Sequence, residues 1–506
     1  MAFLLGYDIG TSATKAILCD GAGTILGTAT SEYPLYQPHP GWSEQEPQDW
    51  WLAVIAATRS LLAAHPGTKV SAIGLTGQMH GSVLLGSDAA ASGGLAQPLR
   101  RALLWNDQRT ASECEEIRAL AGGTPALISR VGNAALTGFM LPKLLWVRNH
   151  EPQLWAQVRH VLCPKDFIAF RLSGKLAADV GDASGTLLFD VDHRCWDTAW
   201  CKTLRLNPEL LPQVHESASI IGHLTDDAAL ALGLPEHVPI IIGSGDNQAG
   251  AVGAGVVEPG TALSILGTSG VLLAPTDAPR KDLADPAHCG RLHTFCSASG
   301  PRGWCMTGCM LSAGLSLRLA RDLLCAGTTY ESLMQEAATA PAGCDGLIFL
   351  PHLTGERCPY PDPAARGGWI GLTSRHTRAH MLRAVIEGIT FSMGQIIELA
   401  RSCGVGIHAL RATGGGNRSA FWRQLQADVY GCVLETTTSE DGGGAYGAAL
   451  LAGAGTGVFN DVAMACRNCV RPSATTQPSG DISPALNESR MIHGAMYAKL
   501  KGTWNH

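Results

Sequence analysis

The chain has 506 residues, 46% hydrophobic and 16% charged, which is more than one hydrophobic core accommodates; two or three domains are implied and extensive disorder is excluded. A net charge of −6, from 43 acidic and 37 basic side chains without long like-charged runs, excludes the footprint of a nucleic-acid or anionic-lipid binder and favours a small-molecule substrate. No stretch reaches the ~18 uninterrupted apolar residues of a membrane span, and the apolar start meets Asp8 too early for a signal peptide, so a cytoplasmic protein with reduced thiols is expected.

In chain order, residues 3–9 predict a short buried strand, Gly10-Thr11-Ser12 a turn, and residues 14–18 a returning strand: a hairpin with a polar tip. Residues 50–64 have helical spacing. Residues 70–76 form the next apolar strand and lead into Gln78-Met79-His80-Gly81. The small-residue run 87–94 predicts a surface turn, and apolar 102–104 precedes the polar cluster Trp105-Asn106-Asp107-Gln108-Arg109. A buried strand from Pro239 ends in a glycine-rich turn at Asp246-Asn247 and feeds a small-residue helix; Val257-Glu258-Pro259-Gly260 then breaks the chain into an N-terminal part, 1–256, and a C-terminal part, 257–506.

A second hairpin follows, 262–266 and 271–274 around Gly267-Thr268-Ser269-Gly270, sharing the Gly-Thr-Ser triplet and hinting at duplication. Residues 380–399 predict an amphipathic helix. Apolar 407–412 precedes Gly414-Gly415-Gly416-Asn417-Arg418 and a helix over 420–430, while 472–483 predicts a loop before a terminal helix through Lys501. Strands alternating with helical segments indicate an α/β fold with helix-covered sheets.

Phosphoryl transfer requires backbone donors around a phosphate chain, a metal held by few carboxylates, and a base for the attacking hydroxyl. One Gly-Thr-Ser tip alone is an ordinary turn; two, each preceded by a strand, make a pair of loops for clamping one nucleotide. Neither is a P-loop or a dinucleotide fingerprint. Asp8 is the candidate partner of hydrated Mg²⁺. Asp246, at a strand end, is the candidate general base, with a helix-capping role as the alternative. Met79, His80 and Asn247 are candidate sugar contacts, although a lone histidine is more often structural. Gly415, Gly416 and Asn417 suit an adenine and ribose lying against backbone, with a plain turn at even odds. Cys466 and Cys469, like Cys305 and Cys309, lack a second pair at zinc spacing and are expected to be packed thiols.

These residues carry a pattern that resembles the FGGY carbohydrate kinases from Asp8 to about Ala452. Gly367-Gly-Trp-Ile-Gly-Leu372, followed after seven residues by His380-Met-Leu-Arg-Ala-Val-Ile-Glu387, is similar to the family's C-terminal signature. Gly138-Phe-Met-Leu-Pro-Lys143-Leu-Leu-Trp146 resembles the other, with Met140 where a smaller residue is usual. His39-Pro-Gly-Trp42-Ser-Glu44-Gln45 and Leu353-Thr-Gly-Glu356-Arg357 add agreement.

The resemblance implies two ribonuclease-H-like lobes of the actin and sugar-kinase superfamily around a deep cleft, sugar on the N-terminal lobe and ATP mostly on the C-terminal one. It implies Asp246 as base and Asp8 beside Mg²⁺. Thr11, Gly267 and Thr268 would lie at the phosphates, and Gly415, Gly416 and Asn417 at the nucleotide. Gln-Met-His-Gly, Trp-Asn-Asp and Gly-Asp-Asn together are most similar to the members that phosphorylate D-xylulose, with Met79, His80, Asp246 and Asn247 lining the sugar site. Gln108 and Gln248 depart from that pattern, and gluconate is the nearest competing substrate. A homodimer is the assembly carried as an expectation, and an actin-like ATP-binding regulator is the alternative from another class.

Overall fold

The computed structural model describes residues 2–439 and 442–504. Phe3–Ile9, apolar on both faces, is the central strand of a six-stranded sheet, as a run buried on both sides requires. It pairs antiparallel with Ala13–Asp20 and parallel with Val70–Gly77. Ile25–Glu32 continues the hairpin as an edge strand whose residues alternate between half-buried and exposed. On the other side Pro239–Gly245 runs parallel to Val70–Gly77, and Ile220–His223 closes the edge. The helix Pro47–Ala64 packs on the hairpin strands, burying Trp50, Val54, Ala57 and Leu61 at helical spacing.

The second sheet repeats this plan. Gly260–Leu266 and Gly270–Thr276 form its hairpin, Trp304–Met310 adds antiparallel, and Ile407–Thr413 and Val433–Thr437 follow in parallel on the other side. With the edge strands Ile220–His223, His293–Cys296 and Pro472–Thr476 set aside, the five core strands of each sheet are ordered third, second, first, fourth, fifth, so the repeated Gly-Thr-Ser triplet marks equivalent hairpins of two lobes with one topology. His293–Cys296 and Pro472–Thr476 extend the edges of the second sheet. The latter corrects the first five residues of the loop expected over 472–483, while 477–483 is loop. Pro472 is tolerated because an edge strand leaves its missing N–H unneeded. Among the described residues no helix is long and apolar enough to cross a membrane.

The most specific sequence signature has a structural role. His380 Nδ1 lies 2.9 Å from Thr377 Oγ1 and accepts from the Thr377 N–H at 3.2 Å, capping the long helix Arg378–Ser402. Trp369 donates its indole N–H to the Met381 carbonyl, and buried Glu387 accepts from Arg383 and from the Gly343 N–H. These bonds fasten the helix to the second lobe; none of them faces the cleft cavities described below.

Two helices lie between the sheets: Asp246–Gly253, which follows the fifth strand of the first lobe, and Gly443–Gly455, which follows the fifth strand of the second. The second crosses over to pack on Phe3–Ile9 and Val70–Gly77 while lying against the first helix. The approach is backbone to backbone. A Cβ on Gly74 would stand 1.9 Å from the Ala448 carbonyl oxygen, and one on Gly447 would stand 1.8 Å from that of Ala249. Gly74→Ala is therefore expected to separate helix and sheet at a cost of roughly 1–3 kcal/mol, read as a lower thermal unfolding midpoint; an unchanged midpoint contradicts this packing.

Candidate active site

Asp246 opens its helix immediately after Pro239–Gly245, and Asp8 is the next-to-last residue of Phe3–Ile9, one strand away across Val70–Gly77. Asp246, Asn247, Thr413, Gly443 and Gly444 line a cavity of about 270 Å³ between the lobes. Asp8 is at its edge: a Cβ on Gly444 would come within 2.8 Å of Asp8 Oδ2. The two carboxylates thus face one space. Burial raises the Asp246 pKa to about 7, with the charge of Asp8 adding to the rise and the Asn247 backbone N–H opposing it. Burial likewise raises Asp8 to about 6, against the pull of Lys15. Lys15 stands directly opposite Asp8 in the hairpin register. Sequence reasoning passed over this lysine; its signal was a cation placed across the turn from the carboxylate.

On the sugar side, Asn247 Nδ2 donates to Asp246 Oδ1 at 3.0 Å and lies 4.0 Å from Met79 Sδ. His80 adopts a left-handed backbone, φ 68°, a conformation that side chains hold only where surroundings enforce it. Its Nδ1 is 2.9 Å from the Gly185 carbonyl. Burial, reinforced by the charge of Lys143, lowers its pKa to about 3, so the ring is neutral, Nδ1–H donates to Gly185, and Nε2 is left as an acceptor. Lys143, from the N-terminal signature, donates to the His80 and Gly138 carbonyls and so fixes that loop. The His80 ring packs on Phe139 with centroids 4.4 Å apart, and Phe139 packs on His293 at 5.5 Å. His293, contributed by the C-terminal half and not anticipated from sequence, has both ring nitrogens buried without a hydrogen-bond partner among the described residues.

Each hairpin tip is braced differently. Thr11 Oγ1 accepts the Trp105 indole N–H at 2.9 Å and donates to Gln78 Oε1 at 3.4 Å, while Gln45 Nε2 donates to the Thr11 carbonyl at 2.6 Å. Its hydroxyl is occupied, and the first tip offers mainly backbone N–H groups. The second tip is held by its carbonyls, Gly314 N–H to Gly267 and Leu315 N–H to Thr268, which leaves the Thr268 side chain exposed. Gly267, Thr268, Gly415 and Gly416 line one cavity of about 950 Å³, with Tyr330 and Phe421 on its walls, ample for a nucleoside. Asn417 is buried behind that turn: its Nδ2 donates to the Thr413 carbonyl and its Oδ1 accepts from Gln426, so it shapes the glycine turn instead of lining the cavity.

Asp8 Oδ1 is buried without a hydrogen-bond partner among the described residues, an acceptor that suits one water of a hydrated Mg²⁺, which takes few protein ligands. Among the described residues, the grouping of three metal-capable side chains lies elsewhere, at Cys163, Asp166 and Asp182. There the Lys165 ammonium already sits 2.5 Å from Asp166, 3.0 Å from Asp179 and 3.3 Å from Asp182. Asp179 in turn accepts from Ser244 Oγ at 2.8 Å, two residues before Asp246, so this buried cluster positions the strand end that carries the candidate base. The Trp105–Arg109 cluster is also structural in part: Arg109 pairs with Asp107 and Glu44 and stacks on Trp42.

Comparison with known proteins agrees with this architecture. The N-terminal domain of the FGGY family of carbohydrate kinases matches residues 3–253 and its C-terminal domain matches residues 262–456. The chain is 38% identical over 448 residues to a xylulose kinase of Escherichia coli (strain K12), covering 88% of this chain and 89% of that one. Among solved structures it is similar to a xyloylose kinase from Brucella ovis, with TM-score 0.90 and 35% identity over 99% of this chain and 100% of that one. It is likewise similar to a gluconate kinase from Lactobacillus acidophilus, with TM-score 0.91 and 28% identity over 99% of both chains. With both lobes matched in order along nearly the whole length, the chain belongs to the FGGY family of carbohydrate kinases.

Proposed function

We propose that the chain transfers the γ-phosphoryl group of ATP to the terminal, fifth-carbon hydroxyl of D-xylulose, with Asp246 as general base. The observation that carries this reading is the cavity between the lobes: a carboxylate raised to about 7 lines it with Asn247, Thr413, Gly443 and Gly444, Asp8 stands at its edge, and the Asn247 amide lies 4.0 Å from Met79 Sδ. Xylulose as acceptor is supported by the 38% identical relative, which is a xylulose kinase; the fold alone does not choose the sugar, because the gluconate kinase shares it.

In the reaction Asp246 accepts the hydroxyl proton as the sugar oxygen attacks the γ-phosphorus, and the bond to the ADP leaving oxygen breaks. The neutral His80 Nε2 accepts a hydroxyl hydrogen and Asn247 holds the base by its amide. The tips at Thr11 and Thr268 present N–H groups to the phosphate chain, and Gly415 and Gly416 admit the nucleoside. Through a water, Asp8 would hold Mg²⁺, which when bound neutralises phosphate charge. Most of the barrier reduction is then positioning and electrostatics. Closure of the lobes excludes water from the γ-phosphate.

A coupled ADP-release assay over D-xylulose, D-ribulose, gluconate, glycerol and L-fuculose is expected to show the highest kcat/KM for D-xylulose. Asp246→Asn should lower kcat about 10²–10⁴-fold; near-normal turnover of a folded variant rejects the base assignment, and a gluconate preference rejects the sugar.

Two pH effects follow from the same carboxylate. Only the ionised base accepts a proton, so kcat/KM is expected to fall about tenfold per pH unit below an apparent pKa near 7, a value shared with the Asp8 pair. A flat profile between pH 5.5 and 8 contradicts it. For stability the sign is opposite: a folded-state pKa above the unfolded 3.8 means that the native state binds the proton more tightly, so stability is lost as pH rises through about 7. Asp246→Asn should therefore raise the unfolding midpoint at pH 8 and change it little at pH 4; equal shifts at both would contradict the burial cost.

A further inference from the structure

Arg357, fixed beside the second hairpin, has no part in the mechanism above. Its guanidinium makes no hydrogen bond or ion pair among the described residues, although it is half-buried. Arg109 and Lys143 are by contrast engaged: Arg109 pairs with Asp107 and Glu44, and Lys143 bonds two carbonyls. A half-buried cation without a counter-charge is costly unless an anion arrives to meet it.

Its backbone is fixed beside the second hairpin. Buried Glu356 accepts from the Arg357 N–H and from the Leu311 N–H, both at 2.9 Å, and its other oxygen is 3.0 Å from His352 Nδ1. Ser312 Oγ lies 3.1 Å from Thr354 Oγ1. Leu311 follows directly on Met310, which pairs with Gly270 at the hairpin tip, and Gly314 and Leu315 grip the tip carbonyls. Its charge acts on His80 and His293 as well as on Cys309 beside the hairpin. A guanidinium anchored beside the loop for the phosphate chain, with its charge felt at the histidine for the acceptor, has the reach to meet an anion held between the two.

We propose that Arg357 is a further catalytic residue of this kinase, one whose guanidinium binds equatorial oxygens of the phosphoryl group in transit when the lobes close. This role rests on the kinase reading above. A planar fork of fixed donors suits two phosphoryl oxygens at once, and charge placed there is worth most in the transition state. Arg357 keeps all its protons: the oxygen–phosphorus bond forms to the sugar, the bond to ADP breaks, and the hydroxyl proton goes to Asp246.

The test compares wild type with Arg357→Met and Arg357→Lys, measuring kcat with both substrates saturating, the Kd of MgADP and of D-xylulose by calorimetry, and the Kd of ADP–aluminium fluoride in the presence of sugar. Arg357→Met is expected to lower kcat about 10³-fold or more, in the range of arginines that meet a transferring phosphoryl group. The ground-state Kd values should stay within about threefold, while aluminium-fluoride binding weakens in parallel with kcat. Arg357→Lys, which keeps the charge and loses the fork, should recover part of the loss. If the methionine variant does not fold, Arg357→Lys and Arg357→Gln carry the same comparison. A kcat within about threefold of wild type overturns the proposal, as does a loss confined to ground-state Kd values. Wild type without sugar-dependent ADP release overturns the kinase reading and this role together; an active wild type beside an unimpaired Arg357→Met overturns this role alone.

Discussion

The site depends on how closely the Gly443–Gly455 helix approaches the first sheet. Gly6 and Gly74 on the strands, with Gly447 and its alanine neighbours on the helix, let backbone meet backbone where any side chain would intrude. That approach carries the second lobe's helix across the chain division and sets its first turn, Gly443 and Gly444, beside Asp8. The same helix lies against Asp246–Gly253, so the two carboxylates and the helix start are placed by one contact. Larger residues there would open the cavity before they touched any group that does chemistry.

Closeness has an electrostatic consequence. Burial raises both carboxylates, and the charge of Asp8 adds to the rise at Asp246, which brings Asp246 into the range where a base accepts a hydroxyl proton near neutral pH. Desolvation acts in the opposite direction on His80, keeping it neutral and acceptor-ready. A single cause, removal of water from the cleft floor, therefore prepares the base and the sugar-binding ring together, at some expense of stability when the carboxylates ionise. The buried Lys165 cluster, the Lys143 bonds and the Glu356 bonds hold the loops that carry these groups.

Much of the site was legible because its residues sit at strand ends and turns. Asp246 after a buried strand, His80 after another, and the paired Gly-Thr-Ser tips all occupy such places, and the structure brings Asp246 and Asn247 to one cavity and Gly267, Thr268, Gly415 and Gly416 to another. Thr11 and Asn417 were legible as members of those turns, but which way their polar atoms are spent depends on Trp105, Gln78 and Gln426, distant in sequence. Lys15 and His293 were missed for a related reason: each matters through a neighbour supplied by strand register or by the opposite half of the chain.

The sequence by itself determined the two α/β lobes, the duplicated hairpins, the family, and the strand-end carboxylates, since these follow from apolar periodicity, glycine placement and local motifs. Tertiary structure alone decided that 472–476 is an edge strand, that the helix after the last parallel strand of the second lobe packs on the first, that Asp8 and Asp246 share a desolvated space, and that the half-buried Arg357 guanidinium has no partner among the described residues. Burial, register and counter-charge arise between segments hundreds of residues apart, and no local pattern contains them.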